Sequence, residues 1–327
     1  MKRSIFQCAM ASLLLFVSIP AKAELPPLRV QDFPGIISLL LRVAVENGYC
    51  EKHGIKCIMQ KIPNASLGLQ ALAAGEIDVA GPAAEGTIQF ADKGFPLKII
   101  GGYLNVNNFF LVVGPNLFNS VAKGYPAMMQ DFKGKRIGIT ARGSSPEFQL
   151  KYLLADAGMK FTDVTLVAVG APPTAYTALV EKQVDAVMTY TPLDGFCEAL
   201  KTCQIAVLPA AGQGPKLLTQ MNGAGALWVT TREFAKKSAT SVEAFQNAIR
   251  DAEKFVQVPA NEKELLKISR KYYGLDIPQA DEVILTAIKR FKKNYVFDVD
   301  KKAVQAAADY LLHTEQISKP FDAGQLF

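Results

Sequence analysis

Residues 134–194 read GKRIGITARGSSPEFQLKYLLADAGMKFTDVTLVAVGAPPTAYTALVEKQVDAVMTYTPLD. Residues 136–140 alternate as a strand does. Ala141-Arg142-Gly143-Ser144-Ser145-Pro146 then breaks the pattern, and residues 147–157 repeat apolar positions at helical spacing. Paired hydroxyls followed by proline read as a helix start, with Ser144 and Ser145 as capping residues and Pro146 in the first turn. Residues 164–169 predict a second strand, residues 175–182 a second helix and residues 184–189 a third strand. Strands alternating with helices predict a parallel sheet with its functional loops at the carboxyl ends of the strands. A helix opening at such a loop offers free N–H groups and a favourable dipole to an anionic or carbonyl oxygen.

The same grammar occurs earlier in the chain. Residues 28–31 predict a strand, followed by the turn Asp32-Phe33-Pro34-Gly35 and a helix over 36–47. A strand over 55–62, a helix capped by residues 64–66 and a buried strand over 77–80 complete the set. At one constant offset Arg29-Val30 falls on Arg136-Ile137, Ala71-Leu72 on Ala178-Leu179, and Ile77-Asp78 on Val184-Asp185. This internal repeat predicts an α/β protein of two open lobes, with a central cleft between opposed strand-end loops and two crossover segments. The third strands lead into Gly81-Pro82-Ala83-Ala84 and Tyr190-Thr191-Pro192. Residues 101–108, rich in Gly and Asn, are expected to bend and leave the first lobe. Met221-Asn222-Gly223-Ala224-Gly225 is expected to return to it before a strand over 226–230. The expected division is a leader over 1–23, one lobe of 24–108 plus 226–327, and another of 109–225. Helices over 241–256, 262–272, 281–294 and 301–312 are expected to pack on the first lobe.

The run GKRIGIT, then GSS and LLADAG, followed by AYTALVEKQVDAVMTYTPL, resembles the periplasmic substrate-binding proteins of the taurine, alkanesulfonate and nitrate importers. Their superfamily includes pyrimidine-precursor binders related to thiamine biosynthesis. The resemblance covers residues 28–231 and rests on the order of loose motifs. It implies a type II periplasmic binding fold and delivery of a bound ligand to an inner-membrane ABC permease. Some pyrimidine-synthesising enzymes share the fold, but their cysteine-rich motif has no counterpart here.

Met1 to Ala23 reads as a secretory signal: Lys2 and Arg3, an apolar run too short to span a membrane, and Ala21-Lys22-Ala23 as the cleavage site. The mature chain is therefore expected in the periplasm. A hydrophobic share of 50% in 327 residues is enough for two domain cores. The net charge of +6 comes without a dense basic block interleaved with aromatics, so nucleic acid is not an expected partner. A monomer is expected. Four cysteines follow the leader as two close pairs, and in an oxidising compartment such pairs favour Cys50–Cys57 and Cys197–Cys203. Neither spacing is a zinc or thioredoxin pattern, and no metal or cofactor is expected.

Catalytic parts are scarce. The two histidines, His53 and His313, sit near helix ends, and no serine-nucleophile elbow, zinc-protease helix or phosphate-binding loop occurs. The expectation is a binding protein rather than an enzyme. Ser144 and Ser145 are candidate oxygen-binding donors or simple caps, and Arg142 is a candidate partner for a carboxylate or sulfonate or a solvated arginine. Phe33, Tyr103 and Tyr190 are candidate aromatic walls or core residues, and Asn105 and Asn107 candidate donors or turn formers. Pro34, Gly35, Pro82, Ala83, Ala84 and Thr191 complete the candidate loops. Asp32, Glu85 and Asp194 lie nearby and would repel an anion if they faced it, which leaves the ligand's charge open. The favoured ligand is an organic acid, sulfonate or carboxylate with an apolar or aromatic body. A neutral pyrimidine-like heterocycle, an exported enzyme on the same fold, and a periplasmic sensor are the alternatives.

Overall fold

The computed structural model describes residues 24–327. The expected leader and its cleavage after Ala23 lie outside the described residues. Two aspartates frame the architecture. Asp78 accepts the Arg29 N–H at 2.7 Å and returns its own N–H to the Arg29 carbonyl at 2.8 Å. Asp185 repeats both bonds with Arg136, each at 2.8 Å. The sequence repeat is thus a repeated bonding device that fixes a third strand against a first.

Among the described residues nine strands follow in order: β1 (Pro27–Asp32), β2 (Lys56–Lys61), β3 (Leu97–Leu104), β4 (Phe109–Val113), β5 (Arg136–Ile139), β6 (Thr165–Ala168), β7 (Ala186–Tyr190), β8 (Gln204–Val207) and β9 (Ala226–Thr231). In the second lobe the order is β6-β5-β7-β4-β8, with β5 parallel to β6 and β7, and β4 antiparallel to β7 and β8. The first lobe copies it. There β2 and β1 run parallel, residues 78–80 bridge β1 to β9, and β9 pairs antiparallel with β3. The strand expected over 77–80 is reduced to these bridges, because Gly81 and Pro82 end it at once and proline has no N–H to donate. In each lobe the fourth position is filled by a crossing strand, β4 on entry and β9 on return.

The two crossings lie side by side. The Gly223 N–H donates to the Asn105 carbonyl, and the Asn107 N–H donates to Asn222 Oδ1 at 2.9 Å. A Cβ on Gly225 would fall 1.6 Å from the Val106 oxygen, so only glycine fits this approach. Residues 101–104 do not bend away as expected. They continue β3, and Gly101 is needed because the Phe297 ring lies 2.2 Å from where a Cβ would be.

Of the C-terminal helices, Ala239–Gln257 and Glu262–Tyr272 pack on Leu39–Glu46 of the first lobe as expected, and the other two depart from expectation. Ala280–Phe291 packs on Leu193–Leu200 of the second lobe, and Lys301–His313 packs on both Ala84–Asp92 and Lys216–Gln220. The physical reason is that their buried faces, including Val283, Ile284, Ala287 and Ile288, are apolar on sides that both lobes can cover. Both disulfides form, Cys50–Cys57 tying a helix to β2 and Cys197–Cys203 tying a helix end to the approach to β8.

Candidate functional site

A cavity of about 530 Å³ opens between the lobes. Phe33 follows β1, Pro63 follows β2, Gly81 follows residues 78–80, Thr140 follows β5, Gly170 follows β6, and Tyr190 ends β7; all line it. Every parallel strand thus delivers its carboxyl end to one space, where open α/β sheets place ligands. The helices leaving these loops aim their N-termini at the same space. They are Ala65–Ala73 and Ala84–Asp92 from one lobe, and Ser145–Asp156 and Pro172–Val180 from the other. Only the first has a side-chain cap, Asn64 Oδ1 accepting the Leu67 N–H at 2.9 Å. At the other three the cap positions are Ala83, Ser144 and Ala171, and none supplies a side-chain bond. Their first-turn N–H groups carry partial positive charge with no side chain of the cap residue spent on them.

Ser144 was expected to cap, but its hydroxyl donates instead to the Ala141 carbonyl at 2.6 Å and accepts from Thr140 Oγ1. It shapes the loop. Arg142 lines the cavity, yet its guanidinium is held by Glu147 at 3.1 Å and by the Leu166 carbonyl. Lys93, missed in the sequence, is the other cation on the lining among the described residues, and none of their carboxylates lines it.

The three acids near the cleft are turned into the protein. Asp32 sits 2.9 Å from Arg42, which also donates to the Phe33 and Gly35 carbonyls and so fixes the loop that presents Phe33. Glu85 accepts from Gln149 Nε2 at 2.6 Å, and Asp194 lies 2.9 Å from Arg290 Nε. Burial is the largest influence on all three and pushes each carboxyl up, against Arg42 for Asp32 and Arg290 for Asp194.

Burial grades the cavity from an exposed rim at Leu67, Lys93 and Arg142 to a buried floor at Phe33, Tyr103, Asn108 and Tyr190. Tyr103 donates its hydroxyl to the Gly81 carbonyl at 2.5 Å and is backed by Trp228 at 4.4 Å, so it offers a ring. Phe109 stands edge-on to Tyr190. Of the other candidates, Ala83 and Ser145 line the cavity, whereas Pro34, Gly35, Pro82, Ala84, Asn105, Asn107 and Thr191 do not. Asn105 is bonded to Asn294, and Asn107 to Gln149. Asn108, Ala65, Ser66 and Ala171 were missed. The caps at 64–66 and the prolines after Ala171 carry the same signal that singled out Ser144 to Pro146.

A sequence model described as NMT1/THI5 like matches residues 38–261. The chain belongs to this family. A Brucella abortus (strain 2308) protein named only as a binding protein is 33% identical over 199 residues, which cover 60% of this chain. The match spans 57% of that relative's length. Among solved structures, the periplasmic aliphatic sulphonate binding protein SsuA of Escherichia coli superposes with a TM-score of 0.71 at 19% identity, covering 92% of this chain and 97% of that one. The periplasmic nitrate-binding protein NrtA of Synechocystis PCC 6803 gives 0.72 at 15%, covering 92% and 84%. At such identities the likeness is one of fold, and the fold is that of periplasmic binding proteins. Among the described residues, no helix is long and apolar enough to cross a membrane.

Proposed function

We propose that this chain is an exported solute-binding protein that captures a small organic anion, a sulfonate or carboxylate, between its lobes and delivers it to an ABC permease. One observation carries the reading: four helix N-termini, three without side-chain caps, converge with Lys93 and Arg142 on a cavity that no carboxylate among the described residues lines. The proposed lobes are 24–108 plus 226–327, and 109–225, and the proposed mature chain begins after Ala23. Ser145 and the first-turn N–H groups of its helix are the proposed oxygen-binding donors, and the aromatic floor takes the ligand's body.

Mass spectrometry of ligand released from natively purified protein, followed by a thermal-shift panel, tests the reading. Stabilisation by small sulfonates or carboxylates is expected. Stabilisation by sugars or metal ions alone sinks it. Because Lys93 is exposed at the rim, Lys93→Met is expected to weaken anion binding by about two- to fivefold, with the loss fading at high salt.

A further inference from the structure

Asn108 is 5% exposed and lines the cavity floor, and its Oδ1 has no hydrogen-bond partner among the described residues. Its neighbour Asn107 is bonded to Gln149, so the deficit is particular to Asn108. Tyr190, 8% exposed on the same floor, pairs across the ladder with Phe109, the residue after Asn108. Unlike Tyr103, whose hydroxyl is spent on Gly81, Tyr190 makes no hydroxyl hydrogen bond among the described residues. Buried polar groups are nearly always bonded, and an amide left unpaired costs stability. Here the unpaired Asn108 oxygen shares a cavity floor with Tyr190, in a space whose rim carries the cations and open helix ends.

We propose that Asn108 and Tyr190 form a polar subsite that recognises an uncharged hydrogen-bonding group, a hydroxyl, an amine or a ring N–H, at the end of the ligand opposite its anionic head. The ligand class is therefore two-ended: an anionic oxygen group at the rim, an apolar or aromatic frame, and a neutral polar terminus on the floor. The amide serves either polarity, since turning it over exchanges acceptor for donor. This inference rests on the proposed reading of the cavity as an anion-binding site.

Calorimetry with matched probes tests it: 4-hydroxybenzenesulfonate against 4-methylbenzenesulfonate, and the corresponding benzoates. The hydroxy probes are expected to bind about tenfold more tightly to the native chain. In Asn108→Leu the ratio of hydroxy-probe to methyl-probe affinity falls to one or below, and Tyr190→Phe reduces it in part. Equal affinities in the native chain, unchanged by Asn108→Leu, overturn the subsite but leave the anion site standing. Failure of every probe to bind overturns the anion-site reading and this inference with it. A second readout needs no ligand. If the amide is kept for the ligand, the ligand-free Asn108→Leu protein melts about 2–4 °C higher, because a buried unpaired group has been removed. A lower melting temperature in both Asn108→Leu and Asn108→Ala marks a structural role and overturns the proposal.

Discussion

Glu85 lies buried in the first turn of Ala84–Asp92, and its partner Gln149 belongs to Ser145–Asp156 of the other lobe. Gln149 also exchanges bonds with Asn107 in the crossing, so one buried amide joins both lobes and the hinge. Burial raises the Glu85 carboxyl above its usual 4.5, against bonds from its own backbone and Gln149. The proton is therefore held more tightly in the folded than in the unfolded chain. The contribution to stability is complete below the usual value and is lost as pH rises through the raised one. Glu85→Gln keeps the acceptor for Gln149 and removes the ionisation. Its melting temperature should match the native protein at pH 4 and exceed it by a growing margin as pH rises above the usual carboxyl value, levelling off once pH passes the raised one. A difference independent of pH would show that the charge is not the cause.

Arg42 is the same problem at the scale of an element. It sits among Leu39, Leu40, Leu41 and Val43 in a helix buried along most of its length, 1% exposed, and bonds Asp32 and the carbonyls of Phe33 and Gly35. Arg42→Met strands the Asp32 charge and frees the loop beneath the cavity. A cost of about 3–5 kcal/mol is expected in urea unfolding, together with weaker ligand binding. Asp32→Asn in the same chain should recover part of the stability, and no recovery would disconnect the two residues. Little of this was legible, because an arginine in an apolar helix announces neither its direction nor its partner. The repeat was legible because Asp78 and Asp185 act within a few residues of the strands they fix. The site was half legible for a related reason. Loops after strands can be read in order, but whether Asn107 or Asn108 faces the cavity depends on the twist of a crossing segment. Lys93 reaches the rim from the end of Ala84–Asp92, a full helix away from the loop at Gly81 to Ala84.

At the scale of the molecule, the halves meet where a side chain would keep them apart. Gly35 of the first lobe lies against Pro192 of the second, where a Cβ would come within 3.2 Å of its ring. Gly195, one turn further on, lies under Val283 of Ala280–Phe291, whose carbonyl oxygen is 2.2 Å from where a Cβ would stand. The Asp194–Arg290 and Glu198–Arg290 ion pairs flank that approach. On the proposed function, hinge closure brings such surfaces together, since neither lobe can desolvate a ligand alone. Gly195→Ala pushes Leu193–Leu200 away from Ala280–Phe291 without touching the cavity lining. Overpacking of this kind costs about 1–3 kcal/mol, and if the cost falls on the closed form it weakens binding by roughly 5- to 150-fold. Small-angle scattering of the native chain should show compaction on adding a ligand found by the thermal-shift panel. The Gly195→Ala chain should stay more open at the same concentration and compact only at higher ones. If both chains compact alike, the helix contact does not govern closure, and if neither compacts, the lobes do not move.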